Sequence, residues 1–236
     1  MRLNKYLAQS GIASRRGSDR LIKEATTTVN NIVVTDPAYD IKENDIVKYD
    51  GKNIQINNKT VVLMFNKPMG IITTMNDPQN RLSVADLLPK EKRVFPIGRL
   101  DKNTTGLLLV TNNGDLANRL MHPRNRVPKI YEAIIDQPLD RKNISKIKNG
   151  IFIGAGEWGK ANIISQRKSK KRTLVILELH HGKNREIRRL FHAIDHKLFS
   201  LKRVQYAGLD LGHLPLGQYR SLDQHELQKI QSFTKY

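Results

Sequence analysis

Two adjoining segments constrain this chain's fold more than any others: TLVILEL at 173–179 and KNREIRRLFHAI at 183–194. The first is rich in β-branched residues and reads as a strand. The second opens on Asn184, a good helix N-cap. At 100° per residue, Ile187, Leu190, Phe191 and Ile194 fall on one face of that helix. Arg185, Arg188, Arg189 and His192 gather on the other. Three arginines within about one and a half turns repel one another. A segment tolerates such a cluster when anions are close, as phosphates outside or as a buried carboxylate. The plain alternative is a solvated basic face.

Charge argues the same way over the whole chain. Of 236 residues, 41 are Lys or Arg and 22 are Asp or Glu, a formal net charge of +19. That excess repels itself in a compact fold unless a polyanion is the partner; a merely basic protein is the other reading. The length suits one large domain, or a small one beside a large one, and is enough to bury a core. Cysteine is absent, which removes disulfides and a thiol nucleophile and leaves His and carboxylates as potential metal ligands. No stretch approaches the ~18 apolar residues of a membrane span. The opening MRLNKYLAQSG is too polar for a signal peptide's core. A cytoplasmic protein with no membrane partner is expected.

Residues 1–58 read as a small unit. RLNKYLAQSG sets Leu3, Tyr6 and Leu7 on one helical face and stops at Gly11. Ser14 caps a second helix, RRGSDRLIKEA. There Arg15, Arg16, Asp19, Arg20 and Lys23 share an arc, while Leu21 and Ala25 point away. TTVNNIVV and DIVKYDGKNIQI read as short strands separated by turn residues. Residues 2–23 carry Arg2, Lys5, Arg15, Arg16, Arg20 and Lys23 against Asp19 alone, whereas 36–50 are net acidic. A one-sided basic helix pair suits phosphate contacts. A solvated face and a helix-turn-helix for duplex DNA are the competing readings.

A hinge is expected at NNK, 57–59, and the larger unit at 59–236. VVLMFNKPMGIITT reads as a strand, a turn at Lys67-Pro68 and a second strand. VFPIG, LLLVT, KIYEAII and KANIIS are further strands, and GDLANRLMH is a helix. DRKNISKIKNG is a helix capped by Asp140 and stopped at Gly150. A basic run at 167–172 joins KANIIS to TLVILEL. Short strands and few helices in this order predict an α+β domain around a mostly antiparallel sheet.

Two motifs mislead. GAGEWG, 154–159, fits G-x-G-x-x-G, and GAGEWGKA nearly fits a phosphate-binding loop. Both need a helix to follow, but KANIISQRK reads as a strand, so a hairpin turn is expected. His192 and His196 stand i, i+4, yet the helix runs out near Ile194 and no third ligand is evident.

GRLDKNTTGLLL, 98–109, places one carboxylate, Asp101, between Arg99 and Lys102 just before an apolar run. Asp101 is a candidate partner for the arginines of the 183–194 helix; an ordinary surface turn stays open on spacing alone. The stretch GRLDKNTTGLLLVTNNGDLANRLMHP resembles the central motif of the RsuA/RluB family of bacterial ribosomal RNA pseudouridine synthases. NKPMG at 66–70, KIYEA at 129–133 and GKNREIRRLF at 182–191 resemble that family's other motifs. RLNKYLAQSGIASRRGSDRLI is similar to the small alpha-L RNA-binding domain preceding the catalytic domain in many members. One departure stands at ATTTVNN, where such domains usually carry Asn-Gly; Asn31 adopts a left-handed turn almost as readily as glycine.

The resemblance implies isomerisation of uridine to pseudouridine in ribosomal RNA. It matches Asp101 to the catalytic aspartate, Tyr131 to the tyrosine against the target base, and Arg188 to the basic residue paired with the aspartate. Ile187 becomes part of an apolar wall, while Arg99, Thr105 and Gly106 shape the motif loop. Expected RNA contacts are Arg2, Lys5, Arg15, Arg16, Arg20, Lys23, Arg99, Lys102, Arg185 and Arg189. The reaction breaks a C–N bond and makes a C–C bond with nothing oxidised and no group imported, so neither cofactor nor metal is expected. The aspartate must be ionised to act as nucleophile or base. Burial raises a carboxyl's pKa and a neighbouring arginine lowers it, a physical reason for Arg188 opposite Asp101. Arginine at 188, after Asn-Arg-Glu, is more like large-subunit members of the RluB type, with the RluF type as runner-up and small-subunit members as the alternative. The expected partner is a structured stem-loop of ribosomal RNA, on ribosomal subunit precursors, met by a monomer. A non-catalytic RNA-binding or ribosome-assembly protein of the same fold is the competing class.

Overall fold

A computed structural model describes residues 1–56, 59–90 and 93–233. Asn57 and Asn58, at the expected hinge, lie outside the described residues. The chain divides into two compact units, Met1–Thr60 with Asn112–Gly114, and Val61–Thr111 with Asp115–Tyr236.

The first unit packs two helices, α1 (Leu3–Gln9) and α2 (Arg15–Lys23), with a four-stranded antiparallel sheet. Its strands are β1 (Thr27–Val29), β2 (Ile32–Val33), β3 (Val47–Tyr49) and β4 (Lys52–Asn53), in the order β2-β1-β3-β4. The Ser14 side chain caps α2 by accepting from the Gly17 N–H, as expected. Both hairpins close through two residues with positive φ, Asn30-Asn31 and Asp50-Gly51, the conformation whose twist matches the flanking strands. Leu3, Leu7, Ile22, Val29, Ile41 and Val47 form the core. The buried face of α2 is therefore Ser18 and Ile22. Ala25 lies beyond the helix, exposed, at φ +58°, which corrects its expected place on the inner face.

The second unit is built on one mixed sheet. Its strands are β5 (Val62–Lys67), β6 (Phe95–Pro96), β7 (Thr105–Thr111), β8 (Lys129–Ile135), β11 (Asn162–Ser169), β12 (Arg172–Leu179), β13 (Leu198–Tyr206), β14 (Leu209–Asp210) and β15 (Tyr219–Ser221). Along the sheet the order is β11-β12-β8-β13-β7-β5-β15, with β14 on β13 and β6 on β7. Only β7–β13 is parallel among these described pairs. Helices α3 (Gly114–Met121), α4 (Arg141–Asn149), α5 (Glu186–His192) and α6 (Gln224–Ser232), and a separate hairpin of β9 (Ile151–Phe152) and β10 (Trp158–Gly159), complete the elements. Successive strand residues face opposite ways. Leu63, Phe65, Leu108 and Val110 enter one apolar cluster, and Val62, Met64, Leu107 and Leu109 another. Both faces of the central strands are buried, so their sequences read as unbroken apolar runs.

Three local expectations need correction. The segment after Lys67-Pro68 forms no second strand; it makes only a bridge, Ile72 to Ser83, where the Ile72 backbone bonds Leu82 and Val84, while the Gly70 N–H and the Thr73 hydroxyl reach the neighbouring loop. The basic run at 167–172 is not a loop. Strands β11 and β12 run through it, and a tight turn at Lys170-Lys171, with Lys170 at φ +49°, joins them. Asn184 does not cap α5. Arg185 holds the cap position at φ +49°, and the first residue of the helix, Glu186, accepts from the Lys183 N–H instead. GAGEWG lies in the turn and second strand of the β9–β10 hairpin, in keeping with the strand character of KANIISQRK.

Candidate active site

Asp101 stands on the loop between β6 and β7, and several groups fix that loop from below. Lys67 ends β5 fully buried, and its ammonium donates to the carbonyl oxygens of Pro68, Asp101 and Thr104 at 3.0, 3.2 and 3.0 Å. The Thr73 hydroxyl donates to the Leu100 carbonyl at 2.7 Å, and the Gly70 N–H to that of Lys102 at 2.9 Å. The NKPMG motif and the chain after it are thus the brace of the GRLD loop. Burial pushes the Lys67 ammonium down to about 8, with the charge of Asp101 working against that shift.

The loop runs straight into β7, which lies parallel to β13. At their contact Gly106 has φ +103°, and a Cβ there would stand 2.2 Å from the Arg203 carbonyl oxygen. Only glycine allows the two strands to meet.

Helix α5 brings the counter-charge. Arg188 Nε lies 3.7 Å from Asp101 Oδ2, and Arg185 Nη1 lies 4.0 Å from the same oxygen. Arg188 Nη2 also donates to the Asn103 carbonyl at 2.7 Å and to the Thr104 hydroxyl at 3.3 Å. One guanidinium therefore holds both the carboxylate and its loop. Burial, and then the charge of Arg185, pull Arg188 below the usual guanidinium value, while Asp101 opposes them. Ile187, Leu190, Phe191 and Ile194 are buried beneath, as the helical spacing predicts.

These groups open into a cavity of about 390 Å³. Its lining includes Arg99, Asp101, Tyr131, Arg185, Ile187 and Arg188, residues assigned to the site from the sequence. Tyr131 comes from β8, next to β13, and is 9% exposed. Lys102 is exposed and does not line the cavity. Arg189 turns away and pairs with Glu157 of the β9–β10 hairpin. In the first unit Arg2, Arg15, Arg16, Arg20 and Lys23 are exposed and Lys5 is half-buried, with Arg20 3.7 Å from Glu24. Among the described residues no group of three His, Asp or Glu side chains forms a metal site, and no helix is long and apolar enough to cross a membrane. His192 is exposed, whereas His196 is buried and bonds Asp136 at 2.9 Å.

Four contributors escaped the sequence reading. Lys67 is one. Glu186, 3% exposed, accepts from His181 Nδ1 and the Lys183 N–H at 3.0 Å and from the Lys160 N–H at 3.4 Å. Burial opposes its ionisation, but these hydrogen bonds keep its carboxyl below the usual range. Arg203 is 2% exposed, donates Nε to the Leu107 carbonyl at 2.7 Å, and lies 4.7 Å from the Tyr206 ring centroid and 6.0 Å from that of Tyr131. Lys129, beside it, is lowered to about 8 by burial and then by Arg203. One signal in the sequence does mark Arg203: it follows Leu201 by two positions on a strand, the phase that points inward.

A carboxylate braced by a guanidinium, set beside an aromatic wall in an open cavity, is a site for a planar group carried on a polyanion. Residues 61–193 match the model of the RNA pseudouridylate synthase family and residues 1–47 that of the S4 domain. The chain belongs to the RNA pseudouridylate synthase family and carries an S4 domain ahead of the catalytic part. It is 36% identical over 238 residues to ribosomal large subunit pseudouridine synthase B of Bacillus subtilis, covering 100% of this chain and 97% of that protein. It is 34% identical to the dual-specificity RNA pseudouridine synthase RluF of Escherichia coli, over 96% of this chain and 77% of that one. A solved pseudouridylate synthase shares the fold with a TM-score of 0.69 and 23% identity, over 98% of this chain and 99% of that one.

Proposed function

We propose that this enzyme converts a uridine of large-subunit ribosomal RNA to pseudouridine, with Asp101 as the catalytic carboxylate. The observation that carries the reading is the pairing of Asp101 with Arg188 in a cavity walled by Tyr131 and Ile187. The large-subunit assignment is supported by the similarity to the Bacillus subtilis enzyme. In the reaction the N1–C1′ bond breaks, the base turns, C5 bonds to C1′, C5 gives up its proton and N1 becomes protonated. Arg188 holds Asp101 and its loop in place for the carboxylate to act as nucleophile or base. Tyr131 receives the target base once it has left the stack. Ile187 closes the apolar side. The basic face of α1 and α2, with Arg2, Lys5, Arg15, Arg16, Arg20 and Lys23, contacts the backbone of a stem-loop, while Arg99, Lys102 and Arg185 contact RNA nearer the target; Arg189, paired with Glu157, is left out of that set. The enzyme works as a monomer on ribosomal subunit precursors in the cytoplasm.

The test is to delete the gene in its host and map pseudouridine in both ribosomal RNAs. One large-subunit site should disappear, and return with the wild-type gene but not with Asp101→Asn. Loss confined to small-subunit RNA would overturn the substrate and leave the chemistry standing.

A further inference from the structure

The β9–β10 hairpin plays no part in the reaction just described, yet it carries the chain's single tryptophan. We propose that Phe152 and Trp158 form a stacking platform for a base of the substrate RNA outside the Asp101 cavity, a proposal that rests on the RNA reading above. The two residues face each other in the hairpin register, with ring centroids 6.0 Å apart and planes at 66°. An edge-to-face pair leaves ring surface open, and here Phe152 is 51% and Trp158 63% exposed.

The exposure is built in by the strand alternation. The intervening positions face the core: Ile153, Gly159 and Ala161 are buried, and a Cβ at Gly159 would lie 3.1 Å from the Leu190 side chain on α5. The hairpin is also fastened to the helix that carries Arg188. Glu157 pairs with Arg189, the Lys160 N–H reaches Glu186, and the Lys183 ammonium donates to the Trp158 carbonyl at 2.6 Å. Lys183 itself lines the Asp101 cavity.

Charge decides between occupants. Lys160 and Lys183 are exposed beside the aromatic pair, and a purely apolar partner has no use for them. Single-stranded nucleotides offer what both need, a π face for the rings and phosphates for the ammonium groups. Extruding the target uridine takes one stacking partner from each flanking nucleotide, which a protein ring can replace.

The full-length protein reports on this directly, because excitation of its one tryptophan reads this hairpin. A twelve-nucleotide oligouridylate should quench Trp158, in wild type and in Asp101→Asn alike. The matching abasic ribose-phosphate oligomer and inorganic polyphosphate should leave its emission unchanged. Trp158→Ala and Phe152→Ala should raise KM for in vitro transcribed large-subunit RNA roughly tenfold with kcat unchanged, and Trp158→Phe should restore it. Equal quenching by the abasic oligomer, an emission shift with protein concentration alone, or Trp158→Ala with a wild-type KM would overturn the proposal. Base-dependent quenching of a wild-type protein that makes no pseudouridine in either ribosomal RNA would overturn the catalytic reading instead and leave the platform standing.

Discussion

Lys67 is held by carbonyl oxygens of the loop that carries Asp101, so its proton bears on activity and stability in opposite senses. Its folded value, about 8, lies below the usual 10.5. Between these values the unfolded chain binds the proton and the folded chain does not. Stability from this group therefore rises with pH across that window. Activity should do the reverse, because a neutral amine gives the loop one N–H fewer and no charge. We expect kcat to fall as pH rises through about 8 while Tm does not fall with it, and the same decline in Lys129→Met. A flat kcat profile from pH 7 to 9 would refute this role. Asp101→Asn should abolish turnover while RNA binding, read by filter retention, stays within a few-fold. Arg188→Ala should lower kcat roughly a hundredfold or more, since it frees both the carboxylate and the loop. Near-normal turnover in Arg188→Ala would show that the pairing is dispensable.

Gly106 belongs to an element whose geometry tolerates nothing larger. Gly106→Ala would drive a methyl into the β13 backbone and impose a strained φ. A loss of about 3 kcal/mol or more in denaturant stability is expected; a midpoint unchanged from wild type would contradict it. What the sequence disclosed of such elements depended on how local their causes are. Helix α4 was legible because Asp140 and Gly150 mark its ends within ten residues. Asp101, Tyr131 and Arg188 came through motifs, each short and continuous. Lys67 was not legible, because its partners lie up to 37 residues away. Glu186 was missed because a left-handed Arg185 moved the cap by one residue, and the reason for that bend is the hydrogen bonding gathered on the Glu186 carboxylate. The strand expected after Pro68 stops at a single bridge: the Gly70 N–H and the Thr73 hydroxyl go to the Asp101 loop, and the Ile72 backbone goes to Leu82 and Val84.

Each of the two units has its own buried core, so residues from about 61 onward should fold alone and keep the Asp101 cavity. That shortened protein should bind stem-loop RNA more weakly. Its plot of log affinity against log salt should flatten by about 0.7–0.9 for every phosphate it no longer neutralises. Equal affinity and slope for both proteins would deny the first unit its share of binding. The parallel pairing of β7 on β13 sets an order of events during synthesis. Arg203 and Leu107 are 96 positions apart, so the loop with Asp101 leaves the ribosome long before the strand that seats it. Until β13 and α5 emerge, the nascent chain holds the aspartate with neither floor nor counter-charge. Such distant closure is slow. The newborn chain completes its first helices well before it is able to alter a single base, so any hold they take on RNA precedes competence in the life of every molecule.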